Sequence, residues 1–348
     1  MPCFELFPLG GSHTGPSLTS CKYFIRQTEE DATMPDRSAG PDRRGGRMCT
    51  STSPADPNCT ADLGAQYVTA TPYHIETHGS FYAELSSHGI LRPLVAPVEG
   101  MAMKEEGIRN FVTPKGASSI VKHYLRESGA EVSFGRQVTH VQRKGPGWEV
   151  CVKGGQAESF DAVVLTVPVP QILQLRGDVP SLIEGSLRQK LEAVSYSSRY
   201  ALGLFYKAGT QINVPWAMKY FEGNSCIRFI SVDDRKRDTE SPSSGPSLVA
   251  HTCVTFGLNH LEMAEGEVKT LIMAELQKIL PCLPEPASVE VRRWRYSQVV
   301  NVVDGSLGQI TLHLSPFLVC GGDGFTQSNF DGCIESALRV VEILKSSL

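Results

Sequence analysis

Apolar and polar positions along the chain alternate between two regimes. From Gly116 to Ser128 the apolar residues Ile120, Val121, Tyr124 and Leu125 share one helical face, and Gly129 stands where a left-handed C-cap would end the helix. A strand is expected next, over Glu131 to Phe134. Two further strand-like runs, Gln137 to Arg143 and Trp148 to Val152, flank Gly145-Pro146-Gly147, whose turn chemistry predicts a hairpin. Phe160 to Val167 follows, and its centre Ala162-Val163-Val164-Leu165 is apolar without alternation, as in a strand buried on both faces of a parallel sheet.

The middle of the chain changes character. Ser198 to Tyr206, Cys226 to Val232, Leu248 to Phe256 and Val289 to Val299 are β-rich runs with long polar connections, which predicts a mostly antiparallel sheet. Between the last two, Glu265 to Leu280 sets Val268, Leu271, Ile272, Leu276, Ile279 and Leu280 on roughly one face, and Pro281 stops the helix. The C-terminal part then returns to the first regime: a short buried strand Pro316 to Cys320, a turn Gly321-Gly322-Asp323-Gly324, and an amphipathic helix Asn329 to Lys345. The order implies an α/β nucleotide-binding domain interrupted by a substrate domain. Its segments are 41–75, 110–172 and 300–348, with 76–109 and 173–299 forming the substrate domain. Residues 1–40, rich in Gly, Pro, Ser and Thr without a sustained period, read as loop or disorder.

Charge narrows the function classes. A formal net charge of -4 leaves no broad basic field for nucleic acid or an anionic membrane, so a small-molecule partner is expected. No run approaches the length of a membrane span, and no basic region precedes an apolar stretch at the N-terminus. The ten cysteines are scattered, without C-x-x-C or clustered histidines, and read as reduced thiols rather than metal ligands. These features point to the cytoplasm, with secretion as the alternative.

Three stretches carry chemistry. Phe317 to Leu338 reads as a buried strand, a glycine turn with one carboxylate, and a helix start. There Asp323 can accept hydrogen bonds from a polyol, Gly322 permits close approach, and the helix N-terminus offers free N–H groups. A flavin presents those needs, although a capped strand-turn-helix corner has the same appearance. In Arg44-Gly45-Gly46-Arg47-Met48, Gly45 and Gly46 can wrap a pyrophosphate with Arg47 as bidentate donor, or form a solvated basic turn. In Asp62 to Val68, Gln66 and Tyr67 can present an amide and a phenol to a ring, or fill a core.

Taken together, Gly45-Gly46-Arg47, Asp62 to Tyr67, Ala162 to Pro168 and Gly322-Asp323-Gly324 resemble the flavin amine oxidase superfamily, in its own order. The wordings TADLGAQYVT, EGMAMKE, SSRYALGLFY and CGGDGFTQSNFDGC resemble the renalase group within it. The resemblance covers the chain from about Gly45 to its end. It implies a p-hydroxybenzoate hydroxylase type of fold, a discontinuous Rossmann-like FAD domain with an inserted mixed-sheet substrate domain. It further implies FAD as cofactor, with Arg47 at a phosphate, Gln66 and Tyr67 lining the flavin, Asp323 on the ribityl chain, Gly332 to Ile334 at the N1 and O2 edge, and Val138 at adenine. Tyr67, His251 and Trp294 are the candidates for the substrate pocket, though a lone strand histidine is more often structural.

The activity that the resemblance implies is oxidation of 2- and 6-dihydro isomers of NAD(P)H to NAD(P)+ by O2, giving hydrogen peroxide, with no catalytic side chain required. Amine oxidation and a non-catalytic binding role are the alternatives. One departure bears on the last of these. Relatives open on a strand and G-x-G-x-x-G, whereas Gly10-Gly11-Ser12-His13-Thr14-Gly15 has serine at the second glycine and Pro16 after it, and the acidic residue that ends a second strand is unassignable, since Asp36 and Asp42 lie in Pro/Gly-rich sequence. An alternative first exon, or a faulty gene model, would produce such a start.

Overall fold

Residues 23–24, 46–102 and 106–347 are described by the computed structural model. The hexapeptide Gly10 to Gly15, Asp36, Asp42, Arg44, Gly45, Cys3 and Cys21 lie outside the described residues. Two compact units emerge: residues 121–196 and 298–347 with the strand at 23–24, and residues 46–120 with 197–297.

The first unit is built on a strand buried on both faces. Ala162–Leu165 lies parallel both to Phe317–Gly321 and to the two-residue strand Tyr23–Phe24, and Gln309–Leu314 closes the other edge antiparallel. Tyr23–Phe24 departs from the loop expected over residues 1–40, since the open edge of Ala162–Leu165 offers its backbone groups a ladder. The Gly145-Pro146-Gly147 turn joins Val138–Lys144 to Gly147–Val152 as the predicted hairpin, in a second sheet with Glu158–Phe160 and Arg176–Gly177. The two sheets share one core around Trp148, Val163, Leu318 and Phe325. Trp148 is anchored there as well as buried, because its indole N–H donates to the Phe317 carbonyl at 3.0 Å. The expected strand Glu131 to Phe134 does not form: these residues follow helix Ser118–Ser128 as irregular chain, and Phe134 is exposed rather than packed on a sheet.

The second unit centres on a six-stranded mixed sheet. In spatial order it runs Ser288–Asn301, Ser195–Phe205, Ser247–Thr252, Ile227–Val232, Met218–Tyr220 and Val98–Glu99. Alternation gives it two different faces. Tyr200, Leu202, Leu204, Leu248 and Ala250 pack against Val268, Ile272 and Leu276 of the helix Glu265–Ile279. Ala201, Phe205, Val249 and Trp294 face the other way, onto Cys49, Cys59, Ala61 and Leu63. The run expected as a strand to Phe256 stops at Thr252, because Cys253 adopts an N-cap conformation and its Sγ accepts from Phe256 N, starting the helix Val254–Asn259. Helix Pro72–Ser87, capped by Thr71 with proline at its first position, was not legible in the periodicity.

Arg47, Gln66 and Tyr67 belong to the unit of the antiparallel sheet, not to the nucleotide-type unit as the expected segment 41–75 would have it. The cause is a set of buried contacts from that segment to residues 231–237, described next.

Candidate functional site

In the first unit the predicted flavin corner has a defined geometry. Gly322, at φ 111°, sits in a region open to glycine, and it turns the buried strand Phe317–Gly321 directly into Asp323. Asp323 is buried, with Oδ2 accepting from Ser328 Oγ at 3.2 Å. The helix Phe330–Ser347 starts seven residues later. Its Gly332 N–H donates to Asn329 Oδ1 at 2.7 Å, so this amide caps the helix, while Cys333 is half-buried and Ile334 buried beside it. A Cβ on Gly332 would lie 2.1 Å from the Gln327 carbonyl oxygen, so only glycine lets the 327–329 loop close over the helix start.

Val138 lines a narrow recess of about 10 Å³ with Val141, Val150, Val163, Thr166, Val167 and others, nearly all apolar. An FAD molecule asks for a carboxylate at a strand's carboxyl end, a close backbone turn, a helix N-terminus and an apolar slot for its purine. The residues present fit the first three, which Asp323, Gly322 and the start of Phe330–Ser347 supply in one unit, and Val138 stands among apolar residues in the same unit.

In the second unit, four buried charges organise the Asp62 to Tyr67 segment. Lys236 Nζ lies 2.5 Å from Asp233 Oδ1 and 3.5 Å from Asp62 Oδ2, and Arg237 Nη2 lies 2.6 Å from Asp233 Oδ2 and 2.7 Å from Asp62 Oδ2. Asp62 also accepts from Thr50 Oγ1 and from Ala117 N, at the start of helix Ser118–Ser128. Burial alone would push the Asp233 carboxyl up, but Arg237 and Lys236 hold it below the usual carboxylate range. Such a cluster is tolerable in a core only because cations and anions balance and the remaining lone pairs are satisfied.

Gln66 is fixed by this cluster. Its Oε1 accepts from Lys236 Nζ and Ser231 Oγ, each at 3.0 Å, and its Nε2 donates to the carbonyls of Asp62 and Gly64 and lies 3.4 Å from His251 Nε2. Its amide edge is thereby committed to protein groups, which leaves the amide face for a ring. Tyr67 Oη meets Tyr220 Oη at 2.5 Å. Tyr220 packs on Phe229 at 4.9 Å between ring centroids, and Phe229 on His251 at 5.9 Å.

Tyr67 and His251 are therefore brought to one aromatic cluster. Burial, with Arg199 and Lys236 nearby, drives the His251 imidazole down to about 3, so the ring is neutral near pH 7. Trp294 is placed in the packed group around Leu63, with its indole N–H donating to the Leu63 carbonyl at 2.8 Å. Gly46 and Arg47 form a short helical turn, and Arg47 donates to the Ser297 carbonyl at 3.1 Å.

Comparison with known proteins settles the family. A family model described as flavin containing amine oxidoreductase matches residues 91–344. Renalase of Mus musculus is 54% identical over 301 residues, which are 86% of this chain and 88% of that protein. The chain belongs to the renalase family of flavin-containing amine oxidoreductases. Its fold is shared more widely at low identity. A protein named as a protoporphyrinogen oxidase from Exiguobacterium sp. 255-15 aligns at TM-score 0.55 and 16% identity over 79% of this chain, and a redesigned putrescine oxidase at 0.50 and 14% over 69%. This chain spans 59% and 54% of those two chains.

As a member of the renalase family the protein is an FAD-dependent oxidoreductase. Sequence reasoning about the renalase motifs missed Lys236, Asp233, Arg237, Tyr220, Arg199 and Arg228. The first three appear only as a short charged run, DDRK and its neighbours, whose burial depends on a partner 170 residues away. Among the described residues no helix is long and apolar enough to cross a membrane, and no three His, Cys, Asp or Glu side chains gather as a metal would require.

Proposed function

We propose that the protein oxidises isomeric dihydronicotinamide dinucleotides, the 2- and 6-dihydro forms of NAD(P), with O2 as acceptor. The observation that carries this reading is the charge bordering the aromatic cluster. The rings of Tyr67, Tyr220, Phe229 and His251 are flanked by Arg228, whose guanidinium lies 5.6 Å from the Tyr220 ring centre, and by Arg199. The acids of this region, Asp62 and Asp233, are buried against Lys236 and Arg237. A planar ring on an anionic nucleotide suits such a border, and a protonated amine meets repulsion there.

FAD, when bound, supplies the hydride acceptor and passes the electron pair to O2. The overall balance takes dihydro-NAD(P), O2 and one proton to NAD(P)+ and hydrogen peroxide. The chain's own residues bind and orient: on this reading Asp323 holds the ribityl chain, Val138 meets adenine, Gly45, Gly46 and Arg47 serve a phosphate, and Gly332, Cys333 and Ile334 face the ring's polar edge. Gln66 and Tyr67 line the flavin, and Tyr67 and His251 belong to the substrate side, whereas Trp294, expected there too, is held in the packed group around Leu63. No proton acceptor is needed at carbon, because the dihydropyridine becomes aromatic on losing hydride. The eight described cysteines are all free thiols, which supports a reducing compartment, the cytoplasm, over secretion.

Purified holoenzyme assayed with both dihydropyridine isomers and with catecholamines tests the reading. Peroxide formation with the isomers is expected. Turnover with amines alone overturns it.

A further inference from the structure

The strand Ile227–Val232 breaks register against Ser247–Thr252. Ile227 lies opposite Thr252 and Phe229 opposite His251, so Arg228 is the extra residue of a bulge. The irregularity changes which way side chains point. Ile227 and Ile230 both enter the core beneath the helix Glu265–Ile279, while Phe229 turns to His251 and Tyr220 on the other face. Arg228 goes with Phe229: its guanidinium stands over the Tyr220 ring, and its Nη1 donates to the Phe221 carbonyl at 3.1 Å. A regular strand would alternate the two residues to opposite faces, so the bulge is what brings an arginine to the aromatic cluster.

Among the described residues no carboxylate pairs with Arg228. A second guanidinium stands close: Arg199, two positions before Ala201 on the same sheet face, is mostly buried, feels the charge of Arg228 and lies near Tyr220. Desolvation followed by this like charge pulls the Arg199 guanidinium below its usual value. Arg199 is itself held by the Thr252 carbonyl, to which its Nη1 donates at 3.2 Å, and the two like charges beside a group of rings favour an anion at the fork of Arg228.

We propose that Arg228, with Arg199 behind it, is the anion subsite of the substrate face, and that it binds the pyrophosphate of the dinucleotide while Tyr220 and Phe229 hold the planar ring. The assignment rests on the dinucleotide reading above and goes further by saying how dinucleotides are told from uncharged dihydropyridines. Arg228 is a specificity residue here, and it touches no reacting atom.

The test compares Arg228→Gln and Arg228→Lys with wild-type holoenzyme on two substrates, the dihydronicotinamide dinucleotide and the phosphate-free dihydronicotinamide riboside. The ratio of KM for the dinucleotide to KM for the riboside should rise about tenfold or more in R228Q, the low end for a lost charge-assisted pair. R228K should fall between, because it keeps the charge and loses the fork. Equal changes on both substrates would mean a merely structural arginine and overturn the subsite. Should R228Q fail to fold, inorganic pyrophosphate carries the same question in R228K. Competitive inhibition of dinucleotide turnover that weakens with salt and is poorer in R228K supports the subsite, and equal inhibition of both enzymes removes it. If wild-type enzyme turns over neither substrate, the functional reading fails by itself. Calorimetry of pyrophosphate binding to the wild-type and R228K holoenzymes then still decides on Arg228.

Discussion

At the scale of single residues, the buried ionic cluster is where the chain is most exposed to mutation. Lys236 is 1% exposed and contacts Asp233, Asp62 and Gln66 at once. Lys236→Met leaves two carboxylates against one guanidinium in a closed core, and the expected cost is about 3–5 kcal/mol of stability by chemical denaturation. The same cluster sets a response to acid. Because Asp233 titrates below its unfolded value, its contribution is complete above about 3.9 and is lost as pH falls through the depressed folded value. His251 acts in a different window. Its folded value near 3 lies below the unfolded value of about 6.5, so the unfolded chain takes up a proton first as pH falls between the two. Stability should therefore drop from pH 6.5 downward, by at most about 1.4 kcal/mol per pH unit, and less to the extent that the partly open ring keeps some water. Melting curves from pH 7 to 4 should be flatter for His251→Gln than for wild type, and identical slopes would show that His251 is not held neutral by the fold.

At the scale of elements, legibility followed whether the signal was local. The Gly145-Pro146-Gly147 hairpin, the doubly buried Ala162–Leu165 and the helix Glu265–Ile279 each carry their own pattern, and each was placed from it. Helix Pro72–Ser87 was not, because its buried face is made of His74, His78, Tyr82 and Leu85, in which histidines stand where apolar residues would have marked the period. The site divides the same way. Asp323 and Gly322 stand out in a short motif, whereas Arg228 reaches the aromatic cluster through a bulge that depends on pairing with a strand some twenty residues on. The turn Gly46–Met48 and the segment after Asp62 show how close two elements can come. Ala65 N donates to the Arg47 carbonyl at 2.7 Å, and a Cβ on Gly64 would stand 1.9 Å from that same oxygen. Gly64→Ala must therefore move backbone, at an expected cost of about 1–3 kcal/mol, and should shift Arg47 and Gln66 together. A thermal midpoint indistinguishable from wild type would show that this approach is looser than drawn.

At the scale of the whole chain, the two units hold separate cores, one around Trp148 and Leu318 and one around Leu204 and Ile272, so each can respond to a ligand on its own. The residues proposed above for FAD in the first unit lie on the strand Phe317–Gly321, the turn Asp323–Phe325, the start of Phe330–Ser347 and the strand Val138–Lys144. A ligand that binds only the folded state stabilises it by RT ln(1 + [L]/Kd), about 2.7 kcal/mol at a hundredfold excess over Kd. Amide exchange in those four segments should slow on adding FAD to cofactor-stripped protein, whereas the helix Glu265–Ile279, buried in the other unit's core, gains only through global stabilisation. Glycine substitution offers an internal control, since Gly332→Ala must push against the Gln327 carbonyl. That variant should retain less flavin, read as the ratio of 450 nm to 280 nm absorbance after desalting, while exchange in Glu265–Ile279 stays at the wild-type apo rate. Full flavin retention by Gly332→Ala, or protection confined to the second unit, would place the cofactor away from the Asp323 corner.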